Sequence, residues 1–314
     1  MRRLVSVALF LTVAFASDAF AWGPAGHETV CRIAVLELAN VPGAQERIDA
    51  LAALYRDPDG NPVDGFAKGC NFPDFARLQV DKPSKPKWAK EFKQFNQWHF
   101  LNVSRETYAI SPSDCKEDCV LKGIAYHTKG LTKPGLSENQ HAQALLFLGH
   151  WLGDIHQPLH ISFASDRGGN SVLVTKDSFY ERFPPLPGEE EKPVNLHSVW
   201  DGRIIGKMRG PIPADQFVVQ FAKELQSAIT DEERARWLAA APLDWAQESY
   251  DIATSRDVDY CEWKLDANGE ACTAEPQERK LTEAYQNEFD DIVKQRLQQA
   301  GVRLAAQLRK ALGL

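Results

Sequence analysis

Residues 137–155 encode the clearest helix in the sequence and place a carboxylate, Asp154, in its apolar second half. Ser137-Glu-Asn-Gln has the form of a helix N-cap. Leu145, Leu146, Phe147, Leu148, Trp151 and Leu152 follow, and Pro158 must end or kink the helix. His150 and Asp154 stand four residues apart and therefore project from one face. Burying an unpaired carboxylate is costly, so Asp154 must meet a counter-charge or a metal ion. His160 lies just past the helix end, and His197 with Asp201 repeats the four-residue spacing. One His–Asp pair reads most simply as a hydrogen bond. Two pairs with His160 between them, in a chain of eight histidines, point to metal. Neutral imidazole with carboxylate suits zinc.

Helical periodicity dominates the rest of the chain. Residues 28–40 carry an apolar stripe at Val30, Ile33, Ala34 and Leu38. Residues 44–55 look similar, before Pro and Gly break the pattern between Asp57 and Gly65. Further helices are expected over 215–229, 231–241, 244–254 and about 281–312. Residues 168–176 form the one plausible strand, with Val172 and Val174 alternating, and Pro184, Pro185 and Pro187 begin an exposed loop. No repeat or low-complexity linker divides the chain. The expected fold class is all-α, a mainly helical single domain with a minor β-hairpin.

The N-terminus reads as a secretory signal. Arg2 and Arg3 precede an apolar run over 4–16, and Ala19-Phe-Ala21 has the small-x-small form of a cleavage site. The run falls short of the roughly 20 residues that span a bilayer. Cleavage before Trp22 is expected, giving a signal of 1–21, one domain over 22–314 and a secreted or periplasmic location. Losing two Arg and one Asp moves the net charge from -7 to -8. That balance argues against tight non-specific binding to duplexes. It leaves room for a nucleic-acid enzyme whose positive charge comes from bound metal.

Six cysteines in an exported chain can form disulfides. Cys115 with Cys119 and Cys261 with Cys272 flank short loops, and pairing within each loop is expected. Cys31 sits on the apolar stripe of the first helix, where a buried thiol is expected, and Cys70 is left open. None of these spacings resembles a thiolate zinc site.

Three further elements carry related chemistry. Trp22-Gly-Pro-Ala-Gly-His27 opens the processed chain, and Asn71-Phe-Pro-Asp-Phe-Ala-Arg77 sets Asp74 three residues before Arg77. Trp98-His-Phe-Leu-Asn-Val103 holds His99 between aromatics. They join His150-Trp-Leu-Gly-Asp154-Ile-His-Gln-Pro-Leu-His160, Asp166-Arg-Gly-Gly-Asn170 and Asn195-Leu-His-Ser-Val-Trp-Asp201 in one ordered set. The set resembles the trinuclear-zinc single-strand nucleases of the S-one/P-one type, whose three-zinc fold is shared with zinc-dependent phospholipase C.

The resemblance implies three zinc ions (Zn2+) per chain. One would be held by Asp74, His99, His150 and Asp154. A second would take the α-amine and carbonyl of Trp22, with His27 and the bridging Asp154. The third would use His160, His197 and Asp201. His127 and His141 match no ligand position, and His156 reads as a neighbour of ligands. An α-amine of pKa about 8 can give up its proton to a metal near neutral pH. Before cleavage that nitrogen is an amide, so an uncleaved chain is expected to have this one site incomplete.

The same resemblance implies Asp74, Asp154 and Arg77 as catalytic residues, with Arg77 steadying transition-state charge. It places base recognition at Phe100, Asn102, Gly168, Gly169 and Asn170, with stacking on Phe100. Well-known members carry an acid where this chain has Asn102. The implied activity is hydrolysis of single-stranded DNA and RNA to 5′-phosphorylated products by a monomer, with 3′-nucleotidase activity in some members. Two rival readings remain. A zinc-dependent phospholipase C typically has Glu on a shorter spacing at the third zinc. A non-catalytic exported zinc-binding protein would show His-rich low-complexity sequence, which is absent here.

Overall fold

The helix that begins after Ser137 sets the frame. In the computed structural model the described residues are 22–105, 110–115, 118–180, 193–266, 269–274 and 277–314. The expected signal and the loop from Pro184 to Pro187 lie outside them. Before the central helix come α1 (Pro24–Glu37), α2 (Ala44–Ala53), α3 (Gly65–Gly69), α4 (Phe72–Arg77), α5 (Pro86–Phe92) and α6 (Val120–Gly130). The central helix is α7 (Glu138–Ile155), and a capping box between Ser137 and Gln140 starts it. After it come α8 (Leu196–Ser198), α9 (Ile204–Arg209), α10 (Ala214–Ala228), α11 (Asp231–Leu238), α12 (Pro242–Ala253) and α13 (Glu283–Leu312). The helix α1 packs on α13, α10, α3 and α7, so the first and last described helices share one core. No helix among the described residues is long and apolar enough to cross a membrane.

The expected strand over 168–176 shrinks to β3 (Leu173–Val174), which pairs in parallel with β6 (Glu278–Arg279). Tight turns through Gly168 and Gly169 occupy the rest, because both glycines adopt positive φ. The sequence reading missed two further pairs. β1 (Leu101–Val103) lies parallel to β2 (Ile161–Phe163), with Leu101 opposite Ile161. β4 (Glu262–Asp266) and β5 (Gly269–Ala274) form an antiparallel hairpin. The β1–β2 pairing matters most here, since it sets His99 and His160, which just precede the two strands, side by side.

One expectation about cysteine is overturned. Cys31 is not a buried thiol but forms a disulfide with Cys70, across 39 residues of chain. The periodicity showed correctly that Cys31 is buried; it could not show that α3 ends against it. Cys115–Cys119 and Cys261–Cys272 pair as expected. Three disulfides are consistent with a secreted chain.

Candidate metal centre and active site

Asp154 and His150 sit fully buried on α7, as their spacing required. Around them the fold gathers side chains from five places. His27 comes from α1, Asp74 from α4, His99 from the turn before β1, His160 from the turn before β2, and His197 with Asp201 from the segment after Asn195. That last segment runs as α8 and then as a π-helical turn over Val199–Arg203. Such wide turns recur at functional sites. All of these side chains are buried.

Two ligands bonded 2.0–2.2 Å from one tetrahedral zinc stand about 3.3–3.6 Å apart. Oδ2 of Asp154 lies 3.2 Å from His99 Nδ1 and 3.3 Å from His150 Nε2. Oδ1 of Asp74 lies 3.4 Å from the same His99 nitrogen and 3.5 Å from the same His150 nitrogen. Each of these two carboxylate oxygens thus faces both imidazole nitrogens at about the edge length of a zinc tetrahedron, and the two nitrogens themselves stand 3.0 Å apart. The other oxygen of Asp154, Oδ1, lies 3.4 Å from His27 Nε2. Farther along, Asp201 approaches His197 Nε2 at 3.4 Å and His160 Nε2 at 3.8 Å. His27, Asp74 and His150 also bring ligand atoms within 4.8 Å of each other, because the His27 ring stacks on His150 at 3.8 Å.

Polar satisfaction supports the same reading. Both nitrogens of His27, both carboxylate oxygens of Asp154 and Oδ1 of Asp74 are buried without a hydrogen-bond partner among the described residues. Orphaned buried polar atoms are rare and costly, and a metal ion is the partner that these atoms fit. Burial pulls the His27 and His99 imidazoles well below their usual range and pushes the Asp201 carboxyl well above its own. Asp154 is likewise pushed up by burial. His150 is pulled down by burial, but the charges of Asp154 and Asp74 outweigh that and raise it. Buried imidazoles beside buried carboxylates that call for a cation are a zinc donor set.

The rings are aimed by the main chain. Nδ1 of His150 faces the Cys70 carbonyl at 2.8 Å, Nδ1 of His160 faces the His99 carbonyl at 2.6 Å, and Nδ1 of His197 faces the Gly168 carbonyl at 2.6 Å. A proton held at Nδ1 leaves Nε2 as the donor to a metal. Gln157 Nε2 donates to Oδ1 of Asp201 at 2.5 Å, while its own Oε1 caps Leu159. Gln157 lies inside a motif quoted above, but only the fold shows that it steadies Asp201. Two glycines of α7 make room for the site. A Cβ at Gly153 would stand 2.5 Å from His27 Nδ1, and one at Gly149 would stand 2.5 Å from Cys70 Sγ.

The residues expected around the base separate into two groups. Phe100 is half-buried and Asn102 exposed, and they line a cavity of about 480 Å³ with Gln97, Asp114, Ala164 and the Cys115–Cys119 disulfide. The Arg77 guanidinium lies 5.9 Å from the Phe100 ring centre. Asn170, by contrast, is turned inward, where its Nδ2 donates to the Arg167 carbonyl at 2.7 Å. Gly168 and Gly169 approach His197 from behind, and Gly169 donates its N–H to buried Asp166 at 2.9 Å. Asp166 also receives Tyr260 Oη and Arg105, so it organises this loop. His156 belongs to none of the donor groups among the described residues. His127 is also outside them and accepts from Trp151 Nε1 at 2.9 Å.

Buried histidines and carboxylates at zinc spacing, on a mainly helical frame, define a zinc-dependent hydrolase. Residues 22–313 match the family model described as S1/P1 Nuclease, and the chain belongs to that family. It is 30% identical over 315 residues to Endonuclease 2 of Arabidopsis thaliana, covering 93% of this chain and 91% of that one. It is 26% identical over 305 residues to Nuclease P1 of Penicillium citrinum, covering 90% and 95%. With Nuclease S1 of Aspergillus oryzae it shares 24% over 327 residues, covering 98% and 97%. The protein is a nuclease that takes zinc as cofactor and nucleic acid as substrate.

Proposed function

We propose that the mature chain begins at Trp22, acts as a monomer and cuts single-stranded DNA and RNA to 5′-phosphorylated products. Asp74, His99, His150 and Asp154 would hold one zinc. The Trp22 amine and carbonyl, His27 and Asp154 would hold the second, and His160, His197 and Asp201 the third. The observation that carries this reading is the division of the Asp154 carboxylate, with one oxygen toward His27 and the other toward His99 and His150. A carboxylate so divided would serve two metal sites at once. Gly23 supports a place for Trp22 beside them, because its N–H donates to the Asp201 carbonyl at 2.6 Å.

Clustered zinc supplies activated water near neutral pH and offsets charge on phosphoryl oxygens. The chain's own residues then orient the substrate. Asp74 accepts a hydrogen bond from the attacking water and sets its direction. Arg77 donates to the phosphoryl oxygen on which charge grows. Phe100 stacks an unpaired base, and Asn102 offers both a donor and an acceptor to that base's edge. Stacking of this kind needs a base outside a duplex, which favours single strands.

The test pairs zinc counting on the mature protein with hydrolysis of single-stranded DNA, RNA and phosphatidylcholine. Three zinc ions and cleavage of both nucleic acids are expected. Lipid cleavage alone would overturn the substrate, and Asp154→Asn retaining all three ions would overturn the bridge. One extra residue ahead of Trp22 is expected to remove one zinc and most activity; intact metal content in that variant rejects the amine ligand.

A further inference from the structure

Residues 77–93 stand apart in charge. They hold Arg77, Lys82, Lys85, Lys87, Lys90 and Lys93 against only Asp81 and Glu91, in a chain whose net charge is -7. The fold sorts these groups. Lys82 donates to Gln79, and Lys85 pairs with Asp59, so both are engaged. Glu91 is half-buried and receives Gln143 of α7. Trp88 and Phe92 are buried on the inner face of α5. Lys87, Lys90 and Lys93 remain exposed on and just after α5.

Beside this face stands Phe75, which is 50% exposed and the one exposed large apolar side chain between residues 72 and 93. Its ring meets Trp88 edge-on at 5.6 Å, so packing holds it while a face stays open. Phe75 follows Asp74 directly on α4, and Arg77 lies two residues on. An aromatic platform beside a row of cations is how sequence-tolerant single-strand grooves are built.

We propose that this face is a docking track for the part of the strand beyond the cleaved bond. Phosphodiester groups would run along Lys87, Lys90 and Lys93, and one unpaired base would stack on Phe75. The inference rests on the nuclease reading and adds a subsite for polymer to it. A lipid surface fits less well, because membrane-lying faces bury a broad apolar strip and this one offers a single ring.

The experiment compares kcat/KM of the zinc-loaded enzyme on a long oligothymidylate and on a thymidine dinucleotide, between about 50 and 200 mM salt. Joint Lys87→Gln, Lys90→Gln and Lys93→Gln is expected to lower the value for the long substrate at least about tenfold at low salt. The log–log salt slope should flatten by about 2, at roughly 0.7 per phosphate contact on a single strand. Phe75→Ala should cost at least about fivefold on the long substrate, and Phe75→Trp should restore it. Neither change should alter dinucleotide cleavage. Equal losses on both substrates, or no loss on the long one, overturn the track. So does loss of binding to phosphatidylserine vesicles with oligonucleotide kinetics unchanged. If the unmodified enzyme cuts neither substrate, the nuclease reading itself fails.

Discussion

Nε2 of His156 accepts a hydrogen bond from Arg303 Nη1 at 2.7 Å, so a helix near the C-terminus grips the end of the helix that carries Asp154. The other ring nitrogen of His156 faces the Leu152 carbonyl at 2.7 Å. Arg296 donates to the His156 carbonyl and to Ser249 Oγ, and Glu248 receives both arginines at 2.7 Å. Among the described residues the last third of the chain adds no member to the donor groups, yet it holds the helix on which His150 and Asp154 stand.

Arg303→Leu should therefore destabilise the fold by about 3 kcal/mol, the usual scale for removing one partner of a buried ion pair. Both arginines are almost wholly buried, whereas the Glu248 side chain is 32% exposed and keeps Arg296, which sets the cost at the low end of that scale. Urea unfolding reads this directly. An unchanged midpoint would mean that Glu248 and His156 find other partners.

The two α7 glycines should fail in different ways. Gly153→Ala presses on the His27 ring, and loss of an orienting contact typically costs about 10–100-fold in metal affinity or activity. Gly149→Ala presses on the Cys31–Cys70 sulfurs and should cost about 1–3 kcal/mol of stability by overpacking. Zinc content should drop in the first variant only. The same metal content in both would remove the distinction.

Removing Cys31 and Cys70 together should cost more than removing Cys115 and Cys119. The bridges span 39 and 4 residues, and loop-closure entropy then gives about 4 against about 2 kcal/mol. Denaturant midpoints of the two double-Ala variants test the order, and a reversed order would count against an entropic origin.

His127 should make the protein acid-sensitive. Burial pulls its pKa from 6.5 down to about 3, against the opposing pull of the Gly123 carbonyl. The unfolded chain then binds the proton more readily. The stability from this neutral ring is complete above pH 6.5 and drains away as pH falls toward 3. Protonating Nδ1 also displaces the Trp151 N–H. His127→Gln keeps an acceptor without the titration, so its stability should fall less steeply over that window. Parallel curves for variant and parent would refute the assignment.

Much of the site was legible in the sequence because its ligands come in short local patterns. His150 and Asp154 on one helical face needed only the period of a helix, and the amphipathic stripes marked α1, α2, α7 and α13 to within a few residues. The joins between distant segments were not legible. Nothing local says that Cys70 reaches Cys31, that β1 pairs with β2, or that Arg303 meets His156. The bond from Asn170 to the Arg167 carbonyl was likewise not legible, because nothing local says which way a side-chain amide turns. Short strands of two or three residues carry too little alternation to be read.

Cys70, His99 and Gly168 orient three imidazoles through their carbonyl oxygens, not through their side chains. Every amino acid has that oxygen, so no single codon change can delete it. The aim of these rings is thus inherited with the path of the backbone. A lineage can exchange nearby side chains widely while the ring nitrogens keep their bearing, provided the chain still passes through the same points.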